Sequence, residues 1–235
     1  MKISVCLATF NGEKYIKQQL ESILSQLSDT DEVIISDDSS SDLTIQIVTN
    51  IEDPRIRILK NQVFKNPIYN FENALKYATG DYIFLSDQDD IWENNKVKCV
   101  TEILDEFHLV ISDCQIVDSN GKLLHESFYE LNKSSKGLFN NLISNSYLGC
   151  TMAFKKEILG LALPFPKNLP MHDWWLGLVA EVFFKTKFIN RKLVQYRRHG
   201  HNASSTSGES QNSFFIKLSF RIKLIWEILK LYWRK

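Results

Sequence analysis

The chain has 235 residues, of which 44% are hydrophobic and 24% are charged, a composition that excludes a disordered or fibrous protein. Its 28 basic residues balance 28 acidic ones, which argues against a protein that binds nucleic acid over its whole surface. The length fits one large domain, or one domain with an appendage.

The N-terminal apolar stretch is broken by Asn11 and Gly12, so it is too short for a signal peptide. No run reaches the roughly 18 uninterrupted apolar residues that a spanning helix needs. We therefore expect the chain in the cytoplasm.

The four cysteines lie far apart in apolar surroundings and have no CxxC spacing. This pattern predicts buried, reduced thiols and neither a zinc knuckle nor a redox pair. The residues are Cys6, Cys99, Cys114 and Cys150.

Strand-like and helix-like patterns alternate through the first part of the chain. Four short apolar runs predict strands, and apolar residues recur at helical spacing between them. The runs are ISVCLA, EVIIS, RIRIL and YIFLS, which begin at Ile3, Glu32, Arg55 and Tyr82. Such alternation predicts an α/β fold with a mostly parallel central sheet flanked by helices.

Polar residues follow three of these strands. Because ligands of such sheets lie beyond the carboxyl ends of the strands, these residues should line one crevice. They are Thr9 and Asn11 after the first strand, Asp37 and Asp38 after the second, and Asp87, Asp89 and Asp90 after the fourth.

The pattern is looser after Ile91. The predicted elements are a helix from about Asn95 to Phe107, a strand at LVIS, a hairpin turn at Asn120 and Gly121, a β-type run SYLGCTMAF, a helix in MHDWWLGLVAEVFF and a strand KLVQYRRH. We expect residues 1–201 to form one domain, 202–213 a flexible connector and 214–235 a tail helix.

Asp87, Gln88 and Asp89 place two carboxylates at the mouth of a strand, where hard oxygen ligands suit Mg²⁺ or Mn²⁺ bridging a diphosphate. For an isolated acidic tripeptide, a solvated turn that caps the next helix is the simpler explanation. The position after a core strand, beside two other polar groups, favours the metal site.

Asp37 and Asp38 are suited to accept hydrogen bonds from a nucleobase or from ribose hydroxyls, and Asp42 fits a helix cap. A plain cap is the alternative for the whole stretch. We assign one of the two neighbouring aspartates to the ligand.

Asp173 follows His172 and precedes two large aromatic residues, so a partly desolvated carboxylate there can act as general base toward a hydroxyl. An N-cap at Asp173, with Trp174 and Trp175 as core anchors, explains the same pattern. The local sequence leaves both open.

The segment YRRHGHN follows a strand and offers cationic and imidazole groups for a phosphate or a metal shell. These groups belong to Arg197, Arg198, His199 and His201. Lone histidines are more often structural, but the neighbouring arginines and the anionic ligand implied upstream favour a site.

The tail from Phe214 to Lys235 carries six basic residues against Glu227 alone, a net charge of +5. Its apolar residues form a broad face that includes Trp226 and Trp233. A basic amphipathic helix of this kind suits an anionic bilayer surface. The alternative is packing on its own domain or on a second subunit, as a homodimer.

Six motifs, taken in order, resemble the family 2 glycosyltransferases of the GT-A fold, whose central sheet is Rossmann-like. The motifs are VCLATFNGEKYIKQQLESILSQ, EVIISDDSSSD, GDYIFLSDQDDIW, GCTMAF, HDWW and RRHGHN. The resemblance runs from about Ile3 to Asn202 and is specific because six motifs share order and spacing. The form SDQDDIW is similar to members that build bacterial cell-surface polysaccharides, often rhamnosyl- or galactosyltransferases.

The resemblance implies a role for each candidate residue. One departure from the family pattern is His172, where many members have an acidic residue, so the base would rest on one carboxylate. By the resemblance, Asp173 would be the catalytic base. Asp89 would bind Mn²⁺ or Mg²⁺, His199 would contact the metal or the diphosphate, and Asp87 would contact ribose or the metal. The nucleotide-sugar donor would also be bound by Thr9, Asn11, Asp37, Asp38 and Arg198.

The activity implied is that of an inverting, metal-dependent hexosyltransferase. It would move one sugar from a UDP- or dTDP-sugar to a saccharide acceptor that is lipid-linked. The enzyme would then lie at the inner face of the plasma membrane. A catalytically silent sugar-nucleotide binder that recruits partners to the membrane is the alternative. Nucleotidyltransferases and dinucleotide-dependent dehydrogenases need a Gly-rich loop after the first strand, where ATFNGEKY has one glycine.

Overall fold

A computed structural model describes residues 1–200 and 213–234. The predicted connector therefore lies outside the described residues except for Ser213, and so does His201. The strands are Ile3–Thr9 (β1), Glu32–Asp37 (β2), Ile56–Leu59 (β3), Tyr82–Asp87 (β4), Ile91–Trp92 (β5), Leu109–Val117 (β6), Leu123–His125 (β7), Met152–Lys155 (β8) and Thr186–Arg197 (β9).

Helices connect and cover these strands. The α-helices are Ile16–Leu24 (α1), Thr44–Thr49 (α2), Pro67–Tyr77 (α3), Lys96–Leu104 (α4), Phe128–Asn132 (α5), Leu138–Ile143 (α6), Leu159–Ala162 (α7), His172–Phe183 (α8) and Phe214–Arg234 (α9). Gly149–Thr151 and Lys156–Ile158 are short 3₁₀ turns. The run SYLGCTMAF, predicted as one β-type segment, is therefore a strand only from Met152 onward.

The described strands form one sheet in the order β3-β2-β1-β4-β8-β6-β9-β5, with β7 paired to β6. β1 pairs in parallel with β2 and β4, β2 with β3, and β6 with β9. β8 joins β4 to β6 by two antiparallel pairings, so β6 and β9 run in the same direction as β4. Six of the nine described strands run in one direction, as the prediction of a mostly parallel sheet requires, whereas β5, β7 and β8 pair antiparallel with their neighbours. The end of β9 lies at the same edge as the ends of β1, β2 and β4.

Successive side chains of each strand point to opposite faces of the sheet, and this alternation creates two apolar layers, one on each face. Val5 and Leu7 pack with α1, α2 and α4 on one face, whereas Cys6 faces α3 and α8. α9 joins the second layer through Leu224 and Ile228, which are buried there. The fold therefore carries the α/β arrangement predicted from the sequence, with α9 packed against the same face as α8.

Several local predictions are also met. The hairpin around Asn120 and Gly121 connects β6 to β7, and Gly121 has a positive φ of 85°. All four cysteines are buried and form no disulfide. Among the described helices, none has the length and apolar content required to cross a membrane.

Candidate active site

A cavity of about 560 Å³ opens at the edge of the sheet where the parallel strands end. The three polar groups expected at this edge contribute to its wall, together with the first turn of α8. The lining residues with functional groups include Thr9, Asp38, Asp87, Gln88, Asp89, Asn70, His172 and Asp173. The predicted convergence on one crevice is therefore present in the structure.

Asn11 and Asp37 are not among the residues that line this cavity. The Asn11 amide oxygen accepts a hydrogen bond from the Ser41 N–H at 2.9 Å. The Asp37 carboxylate accepts one from the Ser40 N–H at 2.9 Å. Both side chains thus hold the turn after β2. Their geometry supports a role in positioning this turn, and not direct contact with a ligand in the cavity.

Asp38 is the member of the aspartate pair that faces the cavity. Its two carboxylate oxygens accept hydrogen bonds from the Phe64 N–H at 2.6 Å and the Asn66 N–H at 3.2 Å. Asp38 thereby fixes residues 63–66, which line the cavity through Val63, Lys65 and Asn66. Asp42, predicted as a helix cap, accepts from the Thr44 N–H at 3.0 Å but is not the N-cap of α2, which is Leu43.

Gln88, the middle residue of the acidic triplet, ties the loop after β4 to the loop after β1. Its side-chain oxygen accepts from the Phe10 N–H at 2.9 Å, and its side-chain nitrogen donates to the Phe10 carbonyl at 3.0 Å. A Cβ at Gly12 would lie 2.4 Å from that oxygen, so a larger residue there would displace the Gln88 side chain. The sequence gives no signal for this contact, because a glutamine between two aspartates has no preferred partner.

Arg197, at the end of β9, wraps the same acidic loop. Its backbone N–H donates to Asp90 Oδ1 at 2.9 Å, and its guanidinium Nε donates to the Asp89 carbonyl at 2.8 Å. The guanidinium also donates to Gln18 Oε1 at 3.1 Å, and the residue is only 3% exposed. Arg197 therefore positions the acidic loop.

His199 follows Arg197 and reaches Asp89. Its Nε2 lies 2.6 Å from Asp89 Oδ2, and its ring stacks on Tyr15 with 5.1 Å between ring centroids. Arg198 donates its backbone N–H to the Val117 carbonyl, and neither Arg198 nor His199 is among the cavity-lining residues. The structure thus brings together the two predicted metal ligands, of which Asp89 lines the cavity.

Negative charge accumulates around the end of β4. Burial, followed by the carboxylates of Asp90, Asp89 and Asp173, raises the pKa of Asp87 well above its usual range. Burial and Asp89 raise the pKa of Asp90 to about 7. Like charges this close favour a protonated carboxyl unless a cation is nearby.

One such cation is Lys96, which lies beneath the loop with no exposed surface. Its Nζ donates to the Cys150 carbonyl at 2.7 Å and lies 4.1 Å from the centre of the Trp92 ring. Burial lowers the pKa of Lys96 to about 8. A buried lysine was not among the predicted site residues, since its distance from the loop in sequence gives no indication of this contact.

Ligand atoms of Asp87, Asp90 and Cys150 lie within 4.8 Å of one another. Lys96 already supplies positive charge to this group, and burial raises the pKa of the Cys150 thiol, which keeps it protonated. Mg²⁺ and Mn²⁺ also prefer oxygen to thiol ligands. Asp87 and Asp89 offer such oxygens on the cavity wall, and His199 contacts Asp89.

Asp173 lies in the first turn of α8 and is not its N-cap, which is Met171. Its Oδ1 accepts from the Trp174 N–H at 2.6 Å, and its Oδ2 accepts from the Gly149 N–H at 3.2 Å. Burial raises the pKa of Asp173 to about 6, although these two N–H groups oppose the rise. A carboxylate with this pKa on a cavity wall is suited to proton abstraction near neutral pH.

Residues 4–160 match the family described as glycosyl transferase family 2, which is more than half of the chain. The chain belongs to this family. The family and the enzyme class predicted from the sequence are thereby confirmed. Asp173 and His199 lie beyond the matched residues, so their roles rest on geometry.

Relatives of this glycosyltransferase act in bacteria. It is 31% identical to the dTDP-rhamnosyl transferase RfbG of Shigella flexneri over 217 residues, which are 83% of this chain and 72% of the relative. It is 28% identical to the UDP-Glc:alpha-D-GlcNAc-diphosphoundecaprenol beta-1,3-glucosyltransferase WfgD of Escherichia coli over 179 residues, 73% of this chain and 68% of that one.

A solved structure has the same fold. The structure of S. aureus TarS 1-349 in complex with UDP-GlcNAc superposes with a TM-score of 0.73 at 22% identity, over 96% of this chain. The chain covers 66% of that structure, slightly less than two thirds of its length. The likeness confirms the GT-A type of fold for this family 2 member.

Replacing Arg197 by methionine should loosen the acidic loop, because the Asp89 carbonyl loses its buried guanidinium donor. We expect amide hydrogen exchange in residues 88–92 to accelerate by about 10-fold or more, as loss of about one hydrogen bond to a charged group predicts. Arg191→Met is the matched control on β9, since Arg191 contacts Cys99 instead. Equal protection of the loop in both variants would contradict the role given to Arg197.

Proposed function

We propose that this chain is an inverting, metal-dependent glycosyltransferase that moves one sugar from a nucleoside-diphosphate donor to a hydroxyl of a saccharide acceptor. The observation that carries the proposal is the convergence of Asp38, Asp87, Asp89 and Asp173 on one cavity in a member of this family. A UDP- or dTDP-sugar is the donor class we propose.

In this proposal the nucleoside lies between Thr9 and Asp38, at the ends of β1 and β2. Thr9 Oγ1 is buried without a hydrogen-bond partner among the described residues, so it is available to a ligand. Asp87 would accept from ribose hydroxyls, while Asn11 and Asp37 keep the surrounding turn in place. Arg198 would contribute positive charge near the diphosphate.

Asp89 and His199 would hold Mn²⁺ or Mg²⁺. Such a cation, when bound, supplies the positive charge that stabilises a leaving diphosphate. The raised pKa of Asp87 supports this assignment, because its surplus of neighbouring carboxylates suits a site that receives positive charge. Arg197 keeps Asp89 aimed by holding its carbonyl.

Asp173 would act as the base. As the acceptor oxygen bonds to the anomeric carbon, its proton passes to the Asp173 carboxylate and the bond from that carbon to the diphosphate oxygen breaks. Attack from the face opposite the leaving group inverts the anomeric configuration. The Gly149 and Trp174 N–H groups hold the carboxylate in one orientation, which supports its assignment as a positioned base.

We also propose a lipid-linked acceptor and a peripheral place on the inner face of the plasma membrane. The name of the E. coli relative specifies a diphosphoundecaprenol-linked acceptor for that protein. In this chain, α9 buries Leu224 and Ile228. Because an α-helix turns by about 100° per residue, its other apolar residues form a strip on the opposite side. The exposed strip consists of Phe215, Leu218, Ile222, Ile225, Trp226, Leu229, Tyr232 and Trp233.

Basic residues border this strip, with Arg221 on one side and Lys223 and Lys230 on the other. That arrangement complements an anionic bilayer, in which tryptophan and tyrosine favour the interface. Arg221 also donates to the Leu142 carbonyl at 2.8 Å, at the end of α6. Two exposed apolar residues of α6, Phe139 and Ile143, would extend the strip toward the acceptor side of the cavity.

A donor screen tests the proposed function. The purified protein should release nucleoside diphosphate from one UDP-, GDP- or dTDP-sugar with Mn²⁺, and a chelator should abolish the release. Lipid-linked saccharides serve as acceptors. Binding of a nucleotide sugar without turnover, even with these acceptors, would instead favour the silent sugar-nucleotide binder.

Asp173→Asn should lower the transfer rate by at least about 100-fold, because an amide cannot take the acceptor proton. In the wild type, the carboxylate is ionised only above its pKa of about 6, so kcat should rise with pH through that value. Measured pH–rate profiles check both effects. The base assignment fails if the folded Asn variant keeps the wild-type rate and profile.

Membrane contact should depend on the exposed aromatic residues of α9. We expect the full-length variant Trp226→Ser/Trp233→Ser to bind phosphatidylglycerol vesicles at least about 10-fold more weakly, because both indole rings leave the interface. Leu124→Ser, an exposed apolar change on β7, is the control.

Vesicle co-sedimentation and light scattering distinguish the possible occupants of the strip. Wild-type binding should weaken with salt and with neutral phosphatidylcholine, since the border residues are basic. A double variant that sediments like the wild type contradicts the membrane proposal. A wild-type dimer that the double variant loses would assign the strip to a second copy.

A further inference from the structure

His172 lines the cavity, and nothing in the described part of the chain satisfies the polar atoms of its side chain. The residue is 4% exposed, and both ring nitrogens are buried without a hydrogen-bond partner there. Buried polar side chains are nearly always paired, and an unpaired one destabilises the fold. A wall residue that retains two such atoms is therefore arranged for something that enters the cavity.

Packing holds this imidazole in place. The ring stacks on Phe71 with 4.1 Å between centroids, and a Cβ at Gly149 would lie 3.0 Å from Nε2. Burial lowers the pKa of His172 to about 3, so the ring is neutral and offers one N–H donor and one nitrogen acceptor. A phenylalanine would pack as well, which leaves the nitrogens without a structural purpose.

Two further polar atoms on the same wall share this property. Asn70 Oδ1 and Thr9 Oγ1 are buried, line the cavity and have no partner among the described residues. The Asn70 side-chain nitrogen donates to the Thr9 carbonyl at 3.1 Å, which aligns the amide. A wall with acceptors and donors but no charge at these positions matches a ligand that carries several hydroxyl groups.

The surroundings of His172 indicate which hydroxyls it meets. A Cβ at Gly149 would lie 3.0 Å from His172 Nε2 and 3.8 Å from Asp173 Cβ, so the imidazole lies beside the proposed base, where the transferred sugar reacts. An acidic residue there would add negative charge beside Asp173 and Asp87. A neutral imidazole avoids that repulsion and still exchanges hydrogen bonds.

We propose that His172 hydrogen-bonds a hydroxyl of the transferred sugar and thereby helps to determine which nucleotide-activated hexose is used. This inference rests on the proposed function. It assigns His172 to donor selection, leaves proton transfer with Asp173, and extends the polar wall to Asn70 as a second hydroxyl contact.

Two substitutions separate hydrogen bonding from packing. His172→Phe keeps the stack on Phe71 without ring nitrogens, and His172→Gln restores a polar group of similar reach. His108→Phe is a remote control, since His108 pairs with Glu157 away from the cavity. The assays measure kcat/KM for UDP-glucose, its 4-epimer UDP-galactose and dTDP-rhamnose, and Kd for UDP and dTDP.

His172→Phe should lower kcat/KM for the preferred donor by about 10- to 100-fold and reduce its preference over the other donors. Kd for the nucleoside diphosphate should stay within about 2-fold, and His172→Gln should recover part of the loss. A structural role would instead weaken nucleotide binding and thermal stability together, without changing donor preference.

If donor preference and rates are unchanged in His172→Phe, the inference is overturned while the proposed function stays intact. Nucleotide affinity that falls in parallel with turnover would also overturn it. A wild-type protein that binds neither UDP nor dTDP nor any donor would contradict the proposed function itself, and the role of His172 with it.

Discussion

The structure depends on keeping three carboxylates together at the end of β4. Asp87, Asp89 and Asp90 lie at or just after the end of this buried strand, and desolvation with the neighbouring carboxylates raises the pKa of Asp87 and Asp90. Lys96 lies beneath them as a buried cation, and Arg197 holds their backbone from the neighbouring strand. The sheet order brings Arg197 to this edge, because β9 ends beside the strands that carry the acids.

Hydrogen bonds from side chains to backbone join the loops that form the cavity wall. Gln88 pairs with Phe10 in both directions, and Asp38 accepts from two N–H groups of residues 63–66. Each contact links a loop after one strand to a loop from another part of the chain. Such mutual support reduces the reorganisation that a bound ligand would require, which is the usual basis of preorganised electrostatics.

The sequence predicts the strands well, since β1, β2 and β4 are buried at all but one residue each and appear as mainly apolar runs. It also places Thr9, Asp38, Asp87 and Asp89 on one edge, because residues after parallel strands share that edge. It could not separate Asp38 from Asp37 or Asn11, since aspartate and asparagine use the same oxygens to hold turns and to bind ligands. Roles for Asp173 and His199 remain predictions supported by geometry.

Sequence patterns could not predict the contacts between segments that are distant in the chain. Arg197 and Asp89 are 108 positions apart, and Lys96 contacts Cys150 across 54. Neither pair has a spacing rule, because the sheet order that joins them depends on packing of the whole domain. The same holds for the orphan nitrogens of His172, which are visible only once its neighbours are known.

The position of β9 late in the sequence has a consequence for biosynthesis. β1 to β4 can pair as soon as they leave the ribosome, but the segment that contacts Asp89 and Asp90 is made about a hundred residues later. Loops closed over such separations form slowly. The nascent chain therefore carries its acidic cluster without Arg197 until β9 is added, and the cavity wall is completed only then.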